Sequence, residues 1–166
     1  MKTELAGKTA GPLPTHHKCR ATAWWTSDRT GISQADSAPC AIHFSAPAEF
    51  GGLEGRWTPE DLLLSALASC FTTTFFAVAD HSKFDYTDLE VEAEGSVVKT
   101  SSGYVFDEIV LRPTLTFSQE EQRDRAFHLL EKAKSLCLVS RALAVQPKFE
   151  PRIEHTMRLP VPCSQA

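Results

Sequence analysis

No two cysteines in this 166-residue chain are spaced as CxxC, and there is no HExxH, no GxSxG elbow, no P-loop and no dinucleotide-binding glycine fingerprint. The best-known sequence signatures of metal, nucleophilic-serine and nucleotide chemistry are therefore missing. A basic excess is missing too: 17 Lys and Arg stand against 21 Asp and Glu, a formal net charge of -4. A chain of that balance does not present the sequence-wide positive field that neutralises phosphates, so nucleic acid is not an expected partner. The first twenty residues, MKTELAGKTAGPLPTHHKCR, hold no continuous apolar stretch of signal-peptide length, and export is not expected. The cysteines Cys19, Cys40, Cys70, Cys137 and Cys163 are odd in number and widely spread, unlike a secreted disulfide framework. A reducing, cytoplasmic setting follows as the expectation.

What is present suits one compact domain. The apolar fraction is 42% and the charged fraction 23%, and a chain of this length can bury roughly two-thirds of its unfolded surface without a structural metal. Residues 1–17, rich in Gly, Pro, Thr and His without period, read as a flexible tail, and 18–166 as a single domain. His16 and His17 beside Cys19 lack a second cluster at ligand spacing, so neither a metal nor another cofactor is expected. Residues 62–79, LLLSALASCFTTTFFAVA, run 18 positions without a charge, close to the length that crosses a bilayer. The run holds five Ser or Thr and is flanked by Asp61 and Asp80, which favours a buried core helix over a membrane span.

From Cys19 to Phe44 the pattern predicts three short antiparallel strands with turns near Ser27–Gly31 and Asp36–Pro39. The segment 46–57, containing Pro47, Gly51, Gly52 and Gly55, is expected to be a loop. Thr58, Pro59, Glu60 and Asp61 then form a helix start: an oxygen to cap free amides, proline at the first helical position, and acids at the positive end of the dipole. That helix should reach Ala79 or His81, apolar on nearly all sides and hence covered all round by sheet or by a second subunit. Alternation over 89–97 and a partner run over 104–117 predict a hairpin through Lys99–Gly103. Ser118 with Glu121 reads as a capping box opening a second helix, whose core face takes Ala126, Leu129, Leu130, Ala133 and Cys137. A closing edge strand alternates from Phe149 to Met157. The order is α+β with segregated antiparallel sheets.

Among groups that carry chemistry, the cysteines stand out. Taken singly, Cys70 in mid-helix and Cys137 on a core-facing surface are small buried hydrophobes. Taken together they are more informative, since packed helices approach to ~8–10 Å and side chains between them reach disulfide distance. Glu60 alone is a dipole-complementing acid and Arg29, in a turn, a solvated base.

Three segments alter this weighting. SAPAEFGGLEGRWTPEDLLLSALASCF resembles the hallmark stretch of the osmotically inducible protein C and organic hydroperoxide resistance family (OsmC/Ohr), LLEKAKSLCLVSRAL is similar to its second-cysteine segment, and DLEVEAEGSVVKTSSGYVFDEIVLRPTLTF resembles its middle hairpin. The pattern is a Pro-Glu pair before an apolar helix, a Cys-Phe ten residues after that Glu, and a second Cys 67 residues later. Leu138 stands where the family usually has proline, and Trp57 and Thr58 replace its usual small or Asn positions.

The resemblance implies an OsmC-like fold, an intertwined homodimer built on a buried central helix and a second cysteine-bearing helix. It implies a thiol peroxidase that reduces organic hydroperoxides without a cofactor, with Cys70 as the peroxidatic and Cys137 as the resolving cysteine. Arg29, in TSDRTGI and 18 residues before Pro47, matches the Ohr-type arginine, and Glu60 the glutamate that orients it. Arg56 is the alternative cation, because OsmC-type members place their arginine differently. A dihydrolipoamide-type dithiol is the implied reductant. One step is geometric: on a straight helix, Glu60 and Cys70 lie about 15 Å apart, so they serve one site only across two chains. The competing readings are a small lipophilic-ligand binder with inert cysteines and a redox sensor on the same fold. Cys19, Cys40 and Cys163 are expected to be packing or surface thiols.

Overall fold

The computed structural model describes residues 15–155, which leaves most of the expected tail, Met157 and Cys163 outside the described residues. The chain divides into two compact units, 1–58 and 59–166.

In the first unit, β1 (Ala21–Ser27), β2 (Thr30–Ala35) and β3 (Ile42–Ser45) form an antiparallel sheet in that order, as the turn signals predict. The β1–β2 turn places Asp28 at φ 44°, a conformation that Asp tolerates better than most residues. It is fixed by the Trp25 indole N–H donating to the Asp28 carbonyl at 2.9 Å and by the Thr30 hydroxyl donating to the Ser27 carbonyl at 2.7 Å. Gly31 is required in β2, because a Cβ there would lie 2.4 Å from the Phe44 ring and 2.7 Å from the Trp24 carbonyl. The loop 46–57 contains one 3-10 turn, Ala48–Phe50, and returns to the sheet through a bridge between Trp57 and Phe44.

The second unit opens with α1 (Pro59–His81), which begins at the predicted proline. Its buried residues Leu67, Phe71, Phe75, Val78 and Ala79 are spaced by four, four, three and one, a single face of the helix. Burial on all sides, expected from composition, therefore does not occur within one chain: Phe76 is 62% exposed, and only 28% of the most apolar 18-residue window is buried. By length and composition α1 is capable of crossing a membrane. Its hydroxyls are satisfied locally, with Thr72, Thr73 and Thr74 donating to the carbonyls of Ala68, Ser69 and Cys70 at 2.9, 3.0 and 2.7 Å. The helix stops where Lys83 turns to φ 50° and the Phe84 N–H reaches back to the Ala79 carbonyl at 2.9 Å.

β4 (Asp88–Thr100) and β5 (Gly103–Phe117) make the predicted hairpin, with a bulge between Ser96 and Val97. Ile109, Leu111, Leu115 and Phe117 of β5 lie in one core with the buried face of α1 and with Ala126, Leu129, Leu130 and Ala133 of α2 (Arg123–Leu136). Each large side chain so buried contributes about 1.5–3 kcal/mol. The helix α2 starts later than the Ser118–Glu121 pair predicts: a 3-10 turn over Glu120–Gln122 intervenes, and the N-cap is Gln122 with no side-chain cap bond. A short helix, α3 (Leu138–Ala142), follows Cys137 directly.

The closing segment departs from expectation in direction. β6 (Lys148–Phe149) and β7 (Arg152–His155) both pair with β5 in parallel, so this sheet is mixed and β5 is its central strand. Alternation along a strand reveals which face is buried but carries no sign of parallel or antiparallel pairing. On the outer face of the sheet, Arg112 bonds Glu92, Glu94 and Glu150 at 3.2, 2.5 and 2.9 Å, tying β4 and β5 to the link between β6 and β7.

Candidate functional site

Two of the sequence-predicted residues come together. Cys70, halfway along α1, is partly buried, and Cys137 is fully buried; both are free thiols within hydrogen-bonding reach of each other. Cys137 is not inside the second helix, as its spacing suggests, but at its end. Its N–H still donates to the Ala133 carbonyl at 2.9 Å, while ψ of 113° breaks the helix, and its carbonyl accepts the Arg141 N–H at 3.1 Å to start α3. The break turns the backbone at the start of α3 toward the thiols.

Electrostatics divides the pair. Burial pushes the Cys70 thiol up, but the backbone N–H of Val139, the Cys137 thiol and the backbone N–H of Leu138 outweigh it, and its pKa falls below the ordinary cysteine value. The Thr74 hydroxyl acts in the same direction, though its single proton is also aimed at the Cys70 carbonyl and cannot serve both acceptors. For Cys137 burial prevails: the Ser140 N–H works against it, but the neighbouring Cys70 adds to the rise, and its pKa lies above the ordinary value. One thiol is thus set to ionise first while the other keeps its proton.

The sequence did not single out Thr74, Val139 or Ser140, and Leu138 stood out only as a departure from the family's usual proline. Thr74 was available from helical spacing, four residues after Cys70. The role of α3 was not, because it depends on a helix break that no Gly or Pro marks.

Arg29 is exposed in the β1–β2 turn, and its aliphatic stem runs beside Gly51, where an added Cβ would lie 3.9 Å from the arginine Cδ. Arg56 is exposed next to Gly55, which has φ 72°. Glu60 lies in the first turn of α1, and its Oε2 is buried with no hydrogen-bond partner among the described residues. Because α1 is one continuous helix, Glu60 is about 15 Å along the axis from Cys70, and the chain does not bring them together. Cys19 and Cys40 are exposed. Among the described residues no group of three or more His, Cys, Asp or Glu is placed to hold a metal ion.

A family model described as OsmC-like protein matches residues 52–152, more than half of the chain and including both Cys70 and Cys137. The chain belongs to the OsmC-like family. It is 29% identical over 146 residues to YmaD of Bacillus subtilis (strain 168), an uncharacterized protein, covering 86% of this chain and 96% of that one. Solved structures share its fold. An organic hydroperoxide resistance protein from Elizabethkingia anophelis superposes with a TM-score of 0.68 at 21% identity, covering 87% of this chain and all of that one. An OsmC-like protein of unknown function from Vibrio cholerae gives 0.71 at 19% identity over 84% of this chain and all of that one. The organic hydroperoxide resistance protein OhrB of Bacillus subtilis gives 0.61 at 22% over 83% and 98%.

Proposed function

We propose that this OsmC-like protein has a peroxide-related redox role and, more specifically, is a cysteine-based peroxidase that reduces organic hydroperoxides. The observation that carries the reading is the pair of adjacent free thiols whose pKa values are driven in opposite directions. Two solved structures of the same fold are named organic hydroperoxide resistance proteins, which supports the substrate class.

In this mechanism the Cys70 thiolate attacks the distal oxygen of ROOH. The O–O bond breaks, the alkoxide leaves and takes up a proton as ROH, and Cys70 becomes a sulfenic acid. Cys137 then attacks the Cys70 sulfur; its proton and the departing hydroxide form water, and a disulfide results. Two electrons and two protons from a dithiol, proposed to be of the dihydrolipoamide type, restore both thiols by exchange. Arg29 is the proposed cation that stabilises the thiolate and the charge on the peroxide oxygens, with Glu60 orienting its guanidinium as a bidentate partner.

A homodimer belongs to this proposal, with the cysteines of one subunit and Arg29 and Glu60 of the other completing each site. Two observations support it: the separation of Glu60 from Cys70 along one helix, and the uncovered apolar face of α1 bearing Phe76. The proposed setting is the reducing cytoplasm. Stopped-flow oxidation of the reduced protein by cumene hydroperoxide, followed by turnover with dihydrolipoamide, tests the reading. Rapid oxidation and sustained turnover are expected. Oxidation without turnover would indicate a sensor, and inert thiols a ligand-binding protein.

A further inference from the structure

Ser45 ends β3 and is fully buried, 0% exposed, although its side chain is a hydroxyl. Its Oγ accepts the Leu53 N–H at 2.7 Å, and its own N–H donates to the Trp57 carbonyl at 2.9 Å. One residue thereby holds both the middle and the end of the loop 46–57. Gly52 is pressed against the same point: a Cβ there would lie 1.6 Å from the Ala46 carbonyl oxygen and 2.6 Å from the Ser45 Oγ. The next residue after Ser45 bonds the arginine turn itself, the Ala46 N–H donating to the Arg29 carbonyl at 3.0 Å.

The loop so pinned meets Arg29 a second time. Gly51, at φ 78°, closes the 3-10 turn with its N–H on the Ala48 carbonyl at 2.9 Å, and a Cβ at Gly51 would touch Arg29 at Cδ and Nε, 3.9 and 4.0 Å away. Arg29 thus has its carbonyl held by Ala46 and its stem close to Gly51, in a loop whose position depends on the Ser45 hydroxyl. An exposed arginine with many rotamers loses part of that freedom against such a shelf.

We propose that Ser45 is a positioning residue for Arg29: its hydroxyl holds the loop 46–57 as the shelf that sets where the guanidinium points. The proposal rests on the reading of Arg29 as the cation of the site. Replacing the oxygen with hydrogen leaves the Leu53 N–H without its acceptor, frees the middle of the loop, and releases the arginine stem while the charge itself is retained.

Two measurements test it. In ¹⁵N relaxation of the arginine Nε–H groups, Arg29 should be more ordered than Arg56 in the unaltered protein and lose that order in Ser45→Ala. Equal mobility of Arg29 and Arg56, or unchanged order in Ser45→Ala, would overturn the proposal whatever the activity. In single-turnover oxidation of Cys70 by cumene hydroperoxide, Ser45→Ala should slow the reaction about tenfold when Arg29 is present, since small misplacements of a catalytic group cost that much or more. In an Arg29→Ala background the same change should have no further effect, although its cost in thermal stability persists. Equal slowing in both backgrounds would mean that Ser45 acts only on the fold, and would sink the proposal. Loss of Arg29 order in Ser45→Ala together with full activity of Arg29→Ala would instead uphold the positioning and refute the catalytic reading of Arg29. Should Ser45→Ala fail to fold, Ser45→Cys fills the site with a slightly larger side chain that offers only a weak acceptor, and carries the same two tests.

Discussion

Cys70 and Cys137 lie within hydrogen-bonding reach of each other, one on the long helix α1 and the other at the break between α2 and α3, and their surroundings push the first thiol toward ionisation and the second away from it. Two identical side chains thereby become chemically distinct. The partly buried one receives backbone N–H donors from Val139 and Leu138, whereas the fully buried one bears the cost of desolvation.

The division predicts different outcomes for the two single replacements. Cys70→Ser should abolish peroxide consumption. Cys137→Ser should still undergo one rapid oxidation and accumulate a sulfenic acid, detectable with a dimedone probe by mass spectrometry, because only the resolving step is lost. Normal turnover by both variants would end the peroxidase reading.

The pH dependence follows from the same asymmetry. The rate of Cys70 oxidation should rise through a midpoint below the ~8.5 of a free cysteine and level off above it, as the thiolate is the reacting form. For stability the signs oppose. The lowered Cys70 contributes stabilisation that is fully present above the unfolded thiol pKa and is lost as pH falls through its folded value. The raised Cys137 contributes below the unfolded value and loses it as pH rises through its own. Cys137→Ala should therefore flatten the alkaline loss of stability expected in thermal melts. An oxidation midpoint at or above that of a free cysteine would contradict the assignment of Cys70 as the activated thiol.

How far the sequence reveals this arrangement depends on whether the controlling forces are local. The strands, the hairpin and the start of α1 at Pro59 are legible because alternation, Gly and Pro act within a few residues. The parallel direction of β6 and β7 is set by a crossing through α2 and α3, which no strand pattern records. The uncovered face of α1 is illegible for the opposite reason: composition reports how apolar the helix is, not which chain covers it. Cys70 and Cys137 stand out by their place on apolar surfaces, yet the difference between them comes from the break at Cys137, where the φ, ψ pair of -61°, 113° has no glycine or proline to announce it.

Lys83 offers a test of the fold apart from the chemistry. Its φ of 50° places a Cβ-bearing residue in the left-handed region just beyond α1. Glycine removes that strain but adds freedom to the unfolded chain, so Lys83→Gly should stabilise by a net of about 0.5 kcal/mol. Urea denaturation should show a higher midpoint with an unchanged slope. Lys83→Ala, which keeps the Cβ, should show no gain.

Arg29 is the assignment most open to a decisive experiment, because the competing cation Arg56 lies in the same unit and is also exposed. Arg29→Lys retains the charge but loses the planar fork that pairs with a carboxylate and spans two peroxide oxygens. Removal of a preorganised donor to developing charge slows chemistry by ~10²–10³-fold, and a loss of that order is expected in single-turnover oxidation of Cys70. Thiolate absorbance titration should show the Cys70 pKa raised in the same variant if the guanidinium also stabilises the resting thiolate. Arg56→Lys should change neither quantity. A reversed result would place the cation in loop 46–57 instead of the β1–β2 turn. Indifference of both variants would leave the N–H donors of Val139 and Leu138, together with the Cys137 thiol, as the groups that activate Cys70.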